Sequence, residues 1–430
     1  MLSHLFLQIA LLLAVCQLIA YALRRVHQPP VIGQMIAGLM LGPSVLGLAL
    51  PGVQHLLFPF QSLGVIRWLG QLGLVLYMFV VGVELNHGLL RRHIKGATAV
   101  SLASVGVPLV IGAAAALLIA QDRSLFPPGV TPLTACLFFA AAISVTAFPV
   151  MARLIVERDL VGTTIANVAL AAGSVSDAVA WCLLALVIAS LSGTLNGAAI
   201  TSIGAIAFTG LVILAVRPAL RRMLDERAVA GSATWPLATL LITVLVAGWT
   251  TDALGIHPAF GAFLIGAVTP RNETTSQVTA KITPLAANLL LPLFFVYTGL
   301  NTSVGLVNSE RLLLVAAAII LLACGSKGIA CWLAARLAGF GVRDATAIGA
   351  LMNARGLIEL IILTAALEKH VITPTLFSIM VVMAVVTTVM ASPVLRLLYG
   401  ARHPEFEAAR PVAEGAYTSL SSPEPEPATA

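Results

Sequence analysis

The chain of 430 residues alternates long apolar stretches with short polar segments. About 20 apolar residues in a helix are enough to cross the hydrocarbon layer of a bilayer. By that measure the pattern predicts thirteen membrane-spanning helices, some of them short or interrupted, and hence an all-α integral membrane protein. The predicted spans, numbered 1 to 13, cover residues 4–23, 30–49, 64–85, 96–120, 131–155, 161–192, 197–220, 233–252, 256–270, 283–301, 311–339, 344–368 and 373–399.

The composition agrees with a chain surrounded mainly by lipid. It is 59% hydrophobic and 10% charged, whereas a soluble domain carries roughly 25% charged residues. The N-terminal apolar run is followed by positive charge, while a signal peptide has a shorter apolar core with positive charge before it. We therefore expect span 1 to be retained in the mature protein.

The basic residues predict the orientation of the spans. Of the 24 lysines and arginines, 18 lie at or near the loops after odd-numbered spans or in the C-terminal region, and four lie at or near the loops after even-numbered spans. The positive-inside rule then places the N-terminus outside and the C-terminus in the cytoplasm. The net charge of +6 reflects these loops, so we expect membrane lipid and no nucleic acid as a partner.

The last thirty residues differ sharply in composition from the rest of the chain. They are rich in Pro, Glu, Ser and Ala, a composition that cannot bury enough apolar surface to fold. We therefore divide the chain into a transmembrane domain, 1–400, and a disordered cytoplasmic tail, 401–430.

Two predicted spans are interrupted at corresponding places. If spans 1–6 and 8–13 are two inverted six-helix repeats joined by span 7, span 5 corresponds to span 12. Matched interruptions of this kind indicate the binding site of a transporter, although Pro and Gly are also common in ordinary membrane helices. The helix-weakening residues are Ser144, Thr146 and Pro149 in span 5, and Gly349, Asn353 and Gly356 in span 12.

Asp177 is a lone carboxylate at the centre of span 6. An Asp at that depth costs about 2.5–3.5 kcal/mol on insertion scales, and such residues usually mark an ion or proton path. The alternative is a buried Asp that serves only as a structural hydrogen-bond or salt-bridge partner. Ser174 and Ser176 flank it, and the Ser176 oxygen is a candidate ligand for a cation held by Asp177.

Three more charged residues lie within predicted spans. Lys327 is central in span 11, where a buried ammonium needs a carboxylate nearby to stay charged; Asp177 and Glu359 are the candidates. Arg355 and Glu359 are four residues apart in span 12, a spacing that allows an ion pair along one helix face. We interpret that pair as structural.

Carboxylate, hydroxyl and carbonyl oxygens suit hard cations. A carboxylate that holds either a proton or a cation makes its site an exchanger. The sequence shows no His/Cys metal cluster, no Gly-rich phosphate loop and no Ser/His/Asp set. It therefore predicts neither an enzyme nor a cofactor.

Seven stretches, in this order, resemble the monovalent cation:proton antiporter-2 family, which includes Kef-type and plant CHX-type exchangers. They are QPPVIGQMIAGLMLGPSVLG, LGLVLYMFVVGVELN, SVTAFPVMARL, SDAVAW, GIHPAFGAFLIGAVTP, LPLFFVYTGL and MNARGLIELI. The resemblance implies thirteen helices, a homodimer, a scaffold part, and a moving core part with crossed broken helices. It also implies that Asp177 is the cation/proton carboxylate, with Thr146 and Ser176 as neighbours and Lys327 as the core lysine.

The chain departs from that family in two respects. Electrogenic relatives carry two consecutive aspartates, whereas Ser176 precedes Asp177 here. Kef-type proteins also carry a cytoplasmic nucleotide-binding domain that this sequence does not show, so the resemblance implies nothing about that regulation.

We therefore expect a monovalent cation (Na⁺ or K⁺)/H⁺ antiporter of a bacterial inner membrane, working by elevator-like alternating access. The alternatives are a sodium-coupled organic-anion symporter and a gated cation channel. The candidate ion- and proton-binding residues are Asp177, Ser176, Thr146 and Ser144, and the candidate core partners are Lys327, Arg355, Glu359 and Asn353.

Overall fold

A computed structural model of the chain describes residues 2–24, 28, 30–84, 94–158, 160, 163–190, 195–224 and 234–399, and those residues contain no β-strand. The predicted tail, 401–430, lies outside them. The α-helices are α1 (Leu2–Arg24), α2 (Pro30–Leu41), α3 (Leu46–Ala49), α4 (Pro51–Leu57), α5 (Phe60–Glu84), α6 (Ile94–Ile119), α7 (Pro132–Ser144), α8 (Phe148–Glu157), α9 (Thr164–Ser190), α10 (Leu195–Leu211), α11 (Arg217–Met223), α12 (Thr234–Ala253), α13 (Pro258–Val268), α14 (Glu273–Leu285), α15 (Leu291–Leu300), α16 (Glu310–Leu337), α17 (Val342–Met352), α18 (Leu357–Glu368) and α19 (Pro374–Tyr399).

The helices confirm the predicted membrane-spanning architecture. Among the described residues, ten helical segments are long and apolar enough to cross a bilayer, and shorter apolar ones lie at α7, α13 and the start of α9. Each of the thirteen predicted spans overlaps one of these segments. Large apolar side chains cover the outer surface, where Leu118 is 87% and Leu397 86% exposed. An apolar surface of this kind marks a membrane or protein interface, and together with the long apolar helices it identifies a multi-pass membrane protein.

Span 10 begins earlier than its apolar pattern predicts. The predicted start is residue 283, but the helix begins at Glu273, after Asn272 caps it by accepting a hydrogen bond from the backbone N–H of Thr275 at 2.9 Å. The first turns carry Thr, Ser, Gln and Lys side chains. Hydropathy misses these turns because their stability comes from the cap and from helix hydrogen bonds.

Two segments adopt π-helical hydrogen bonding, and each ends just before a proline. Val212–Val216 joins α10 to α11, which contains Pro218, and Ala286–Leu290 joins α14 to α15, which contains Pro292. Proline has no N–H to donate and crowds the preceding turn. A local change from α to π spacing re-forms the hydrogen bonds around that gap.

Spans 5 and 12 are each broken into two helices, as the sequence predicts. In span 5 an extended segment, 145–147, separates α7 from α8, and in span 12 residues 353–356 separate α17 from α18. Corresponding spans of the two halves are seven crossings apart. Because seven is odd, they cross the membrane in opposite directions if each of the thirteen spans crosses once, as the predicted inverted repeats require.

The helices pack in two groups. The glycine-packed group consists of α1, α2, α5, α12, α13 and α15, and the crossing group consists of α6–α9 and α16–α19. In the glycine-packed group, backbones touch where side chains are absent. A Cβ added to Gly266 would lie 2.1 Å from the backbone oxygen of Phe79, and one added to Gly299 would lie 2.4 Å from the carbonyl carbon of Gly38. Such contacts hold these helices at fixed distances.

We expect Gly266→Ala to lower the thermal stability of the purified protein markedly. The methyl group would overlap the α5 backbone, and overpacking of this kind typically costs about 1–3 kcal/mol. Gly106→Ala in α6 is the matched control, because a Cβ there meets nothing within 4 Å. Equal melting temperatures for the two variants in detergent would contradict the close packing of α5 against α13.

Candidate functional site

The two broken helices cross at their interruptions. The backbone N–H of Ala147, in the first break, donates to the carbonyl oxygen of Ala354, in the second, at 3.0 Å. The Thr146 hydroxyl donates to the carbonyl oxygen of Met352 at 3.3 Å. Part of the polar backbone that the interruptions expose is therefore satisfied across the crossing.

Two buried cations cap the carbonyl end of α7. The Arg355 guanidinium donates from Nη1 to the oxygen of Ala142 at 2.9 Å and from Nη2 to that of Ile143 at 2.6 Å. The Lys327 ammonium donates to the oxygen of Ser144. The last carbonyls of a helix lack partners within the helix and carry partial negative charge. Arg355 and Lys327 supply both the hydrogen bonds and the compensating charge.

Arg355 also pairs with Glu359, as the sequence predicts, but the two residues do not lie on one continuous helix. Nη1 lies 3.5 Å from Oε1, and both side chains are 0% exposed. Arg355 lies in the non-helical break and Glu359 in the first turn of α18. The expectation of a pair along one helix face is therefore wrong. Neither Glu359 oxygen accepts a hydrogen bond from the described residues, so Arg355 compensates a bare carboxylate.

Three candidate hydroxyls donate, or are placed to donate, to protein oxygens. Ser144 Oγ donates to the carbonyl of Ala141 at 3.0 Å, and Thr146 donates to Met352 as described. Ser176 Oγ lies 2.8 Å from Ser104 Oγ. A hydroxyl has one proton and two acceptor lone pairs. Once the proton is donated, the oxygen is left as an acceptor.

Asp177 lies on α9, which packs against the start of α8. Gly173, one turn earlier, contacts Met151 so closely that a Cβ added to it would lie 2.3 Å from Met151 Cε. The backbone of Asp177 thus lies one turn from the first residues after the break. Its side chain, like that of Ser174, lies outside the described part of the structure, so its role and its predicted pairing with Lys327 stay predictions.

The structure places Asn353 in the second break, facing α16. Its Nδ2 atom is 3.9 Å from where a Cβ on Gly328 would be, and its buried Oδ1 has no hydrogen-bond partner among the described residues. Ser326 Oγ, next to Lys327, is another buried oxygen without such a partner.

Two residues that hold this region together carry no sequence signal. Thr388 on α19 accepts a hydrogen bond from the backbone N–H of Arg355 at 2.9 Å, and Ser104 on α6 contacts Ser176. Each is an ordinary hydroxyl residue in an apolar helix, with no spacing that relates it to the broken helices.

Crossed, interrupted helices capped by buried cations define the class of protein as a membrane transporter. The chain belongs to the sodium/hydrogen exchanger family, whose transmembrane region matches residues 10–399. The comparisons thus confirm the family type expected from the sequence stretches. Family members compared below are named as antiporters, not as enzymes.

The chain is similar over most of its length to several curated proteins. It is 36% identical over 397 residues to the Na(+)/H(+) antiporter NhaS4 of Synechocystis sp., covering 91% of this chain and 96% of that protein. It is 35% identical over 399 residues to Cation/H(+) antiporter 19 of Arabidopsis thaliana, with 91% and 49% covered. It is 31% identical over 401 residues to K(+)/H(+) antiporter 1 of Saccharomyces cerevisiae, with 91% and 46% covered. The chain therefore spans about half the length of the plant and yeast relatives.

A solved structure shares the fold. The sodium proton antiporter MjNhaP1 from Methanocaldococcus jannaschii, at pH 8, superposes with a TM-score of 0.64, covering 93% of this chain and 97% of that one. The two sequences are 14% identical, so this likeness concerns the fold alone.

We expect Arg355→Gln to yield much less folded protein than the wild type. Removing one partner of a buried pair typically costs about 3–5 kcal/mol, because the other charge stays buried and uncompensated. The double variant Arg355→Gln/Glu359→Gln should recover part of that loss. Thermal unfolding of the purified variants measures the difference.

Arg311→Gln is the control, since its ion pair with Asp122 has an exposed arginine and exposed pairs are worth about 0–1 kcal/mol. An Arg355→Gln protein as stable as Arg311→Gln would show that the α7 carbonyls do not depend on Arg355.

Proposed function

We propose that the chain is a secondary-active monovalent cation/H⁺ antiporter in which Asp177 binds a cation and a proton in turn, with Ser176, Thr146 and Ser144 as neighbouring oxygen ligands. The observation that carries this proposal is the acceptor character of the hydroxyls near the crossing. Ser144 and Thr146 both donate to backbone carbonyls. The lone pairs of their hydroxyl oxygens suit a hard cation.

The buried positive charges support cation rather than anion transport. Arg355 and Lys327 donate to the backbone carbonyls at the end of α7, and Arg355 is also paired with Glu359. An organic anion would have to displace these contacts to bind either residue. The sodium-coupled anion symporter therefore receives no support from the geometry.

The two helix groups support alternating access. The glycine-packed group makes close backbone contacts, such as that between Gly266 and Phe79, and serves as the scaffold. The crossing group carries the broken helices and moves against it, so that the site faces one side of the membrane at a time. A gated channel would need a continuous path instead.

The proposal also includes the domain bounds, orientation, oligomeric state and membrane expected from the sequence. The transmembrane domain is 1–400, with a cytoplasmic tail at 401–430, and the N-terminus is outside. The protein is a homodimer in the lipid of a bacterial inner membrane. The names of the cyanobacterial and yeast relatives support Na⁺ and K⁺, respectively, as transported ions.

We expect Asp177→Asn to abolish cation-dependent proton movement in proteoliposomes while the protein remains folded and inserted. The amide has the size of the carboxylate but cannot exchange a proton for a cation. Asp252→Asn is the control, because Asp252 is an exposed residue near the end of α12. Exchange that persists in Asp177→Asn would remove Asp177 from the mechanism.

We expect the exchange to be electroneutral. Asp177 is the carboxylate assigned to the site, and Ser176 occupies the position at which electrogenic relatives carry a second aspartate. One proton would therefore move against one monovalent cation. Cation-driven proton flux is measured with the membrane potential clamped at several values.

A flux or reversal point that shifts with voltage would contradict the one-for-one cycle. Lys327 would then be the second proton carrier, releasing its proton when a cation displaces it from Asp177. Running the same assay with each alkali cation determines the preference between Na⁺ and K⁺.

A further inference from the structure

Ser104 on α6 forms a buried hydrogen-bonded chain with α9. Its Oγ donates to the backbone carbonyl of Ser101 at 2.9 Å and lies 2.8 Å from Ser176 Oγ. Ser104 is 0% and Ser176 1% exposed. Within the described part of the chain, Ser104 is the one hydrogen-bond partner of the Ser176 side chain.

Counting protons fixes the direction of this chain. Each serine hydroxyl has a single proton to donate. If Ser104 donated to Ser176, the buried Ser176 proton would have no acceptor among the described residues, which is costly. Both protons are used when Ser176 donates to Ser104 and Ser104 donates to the Ser101 carbonyl. No described residue then donates to the lone pairs of Ser176.

With this direction of donation, the Ser176 oxygen is left as a hydrogen-bond acceptor, as the oxygens of Ser144 and Thr146 are. Those two hydroxyls give their protons to backbone carbonyls, whereas Ser176, on an intact helix, gives its proton to Ser104. A Ser176 hydroxyl whose proton pointed toward the cation would repel it.

We propose that Ser104 is a positioning residue for cation binding: it holds the Ser176 proton, so that the Ser176 oxygen faces the transported cation or the protonated Asp177. This proposal rests on the antiporter function and on Ser176 as a ligand. Ser104 itself touches neither ion. It also supplies a reason for a fully buried hydroxyl at this position of α6.

The test measures cation binding as well as transport. Purified protein is titrated with NaCl and, separately, with KCl at constant ionic strength, and the rise in melting temperature gives an apparent dissociation constant, because a ligand that binds the folded state stabilises it. Losing one hydrogen bond of about 1 kcal/mol should weaken binding about fivefold in Ser104→Ala. In proteoliposomes the KM for the cation should rise similarly, with kcat nearly unchanged.

Ser101→Ala is the matched control. Ser101 is a buried serine on the same helix, 3% exposed, and it takes part in the chain through its backbone carbonyl, which the substitution keeps. Its apparent dissociation constant should equal that of the wild type. If Ser104→Ala does not fold, Ser104→Cys replaces it, since a thiol keeps the volume and is a much weaker acceptor.

A second comparison separates positioning from packing. Ser104→Ala/Ser176→Ala should bind the cation as weakly as Ser176→Ala alone, because Ser104 acts only through Ser176. A further loss in the double variant, or wild-type affinity in Ser104→Ala, would overturn the proposal. The two proposals can also fail separately. If Ser104→Ala weakens cation binding but the wild-type protein moves no protons, Ser104 remains a positioning residue and the antiport function is rejected.

Discussion

The carbonyl end of α7 is buried near the centre of predicted span 5, and the arrangement of the crossing group follows from the need to satisfy its hydrogen bonds. In hydrocarbon there is no water to hydrogen-bond exposed backbone groups, so broken helices are tolerated only where the protein satisfies them. The partners come from two other spans: Arg355 from span 12 and Lys327 from span 11. A single helix terminus thus fixes the relative positions of three spans.

The need to satisfy buried backbone groups also explains which residues form the second break. The Arg355 side chain extends to α7, while its backbone lies outside the helix. Its backbone N–H donates to the Thr388 hydroxyl on α19. Gly356 follows, and a Cβ there would lie 2.9 Å from the Val150 side chain in α8. The break is therefore packed against α7, α8 and α19.

Much of this could be predicted from the sequence, because the predictive features are local. Span lengths follow from apolar runs, and the interruptions follow from residues such as Pro149 and Asn353. Arg355 and Glu359 were identifiable as a pair from their spacing, although the backbone between them is broken. Ser104 and Thr388 could not be found in this way. Their partners are 72 and 33 residues away in sequence, and only the packing of the helices brings them together.

The π-helical segments have a consequence for comparing this chain with other sequences. A π turn closes its hydrogen bond one residue later than an α turn, and each residue advances a helix by about 100°. Beyond Val216 and beyond Leu290, the faces of spans 7 and 10 are therefore rotated relative to an unbroken α-helix. Where a relative has an unbroken α-helix at either place, matching residues by structure requires a one-residue gap within the span. An ungapped alignment would pair lipid-facing positions of one protein with buried positions of the other.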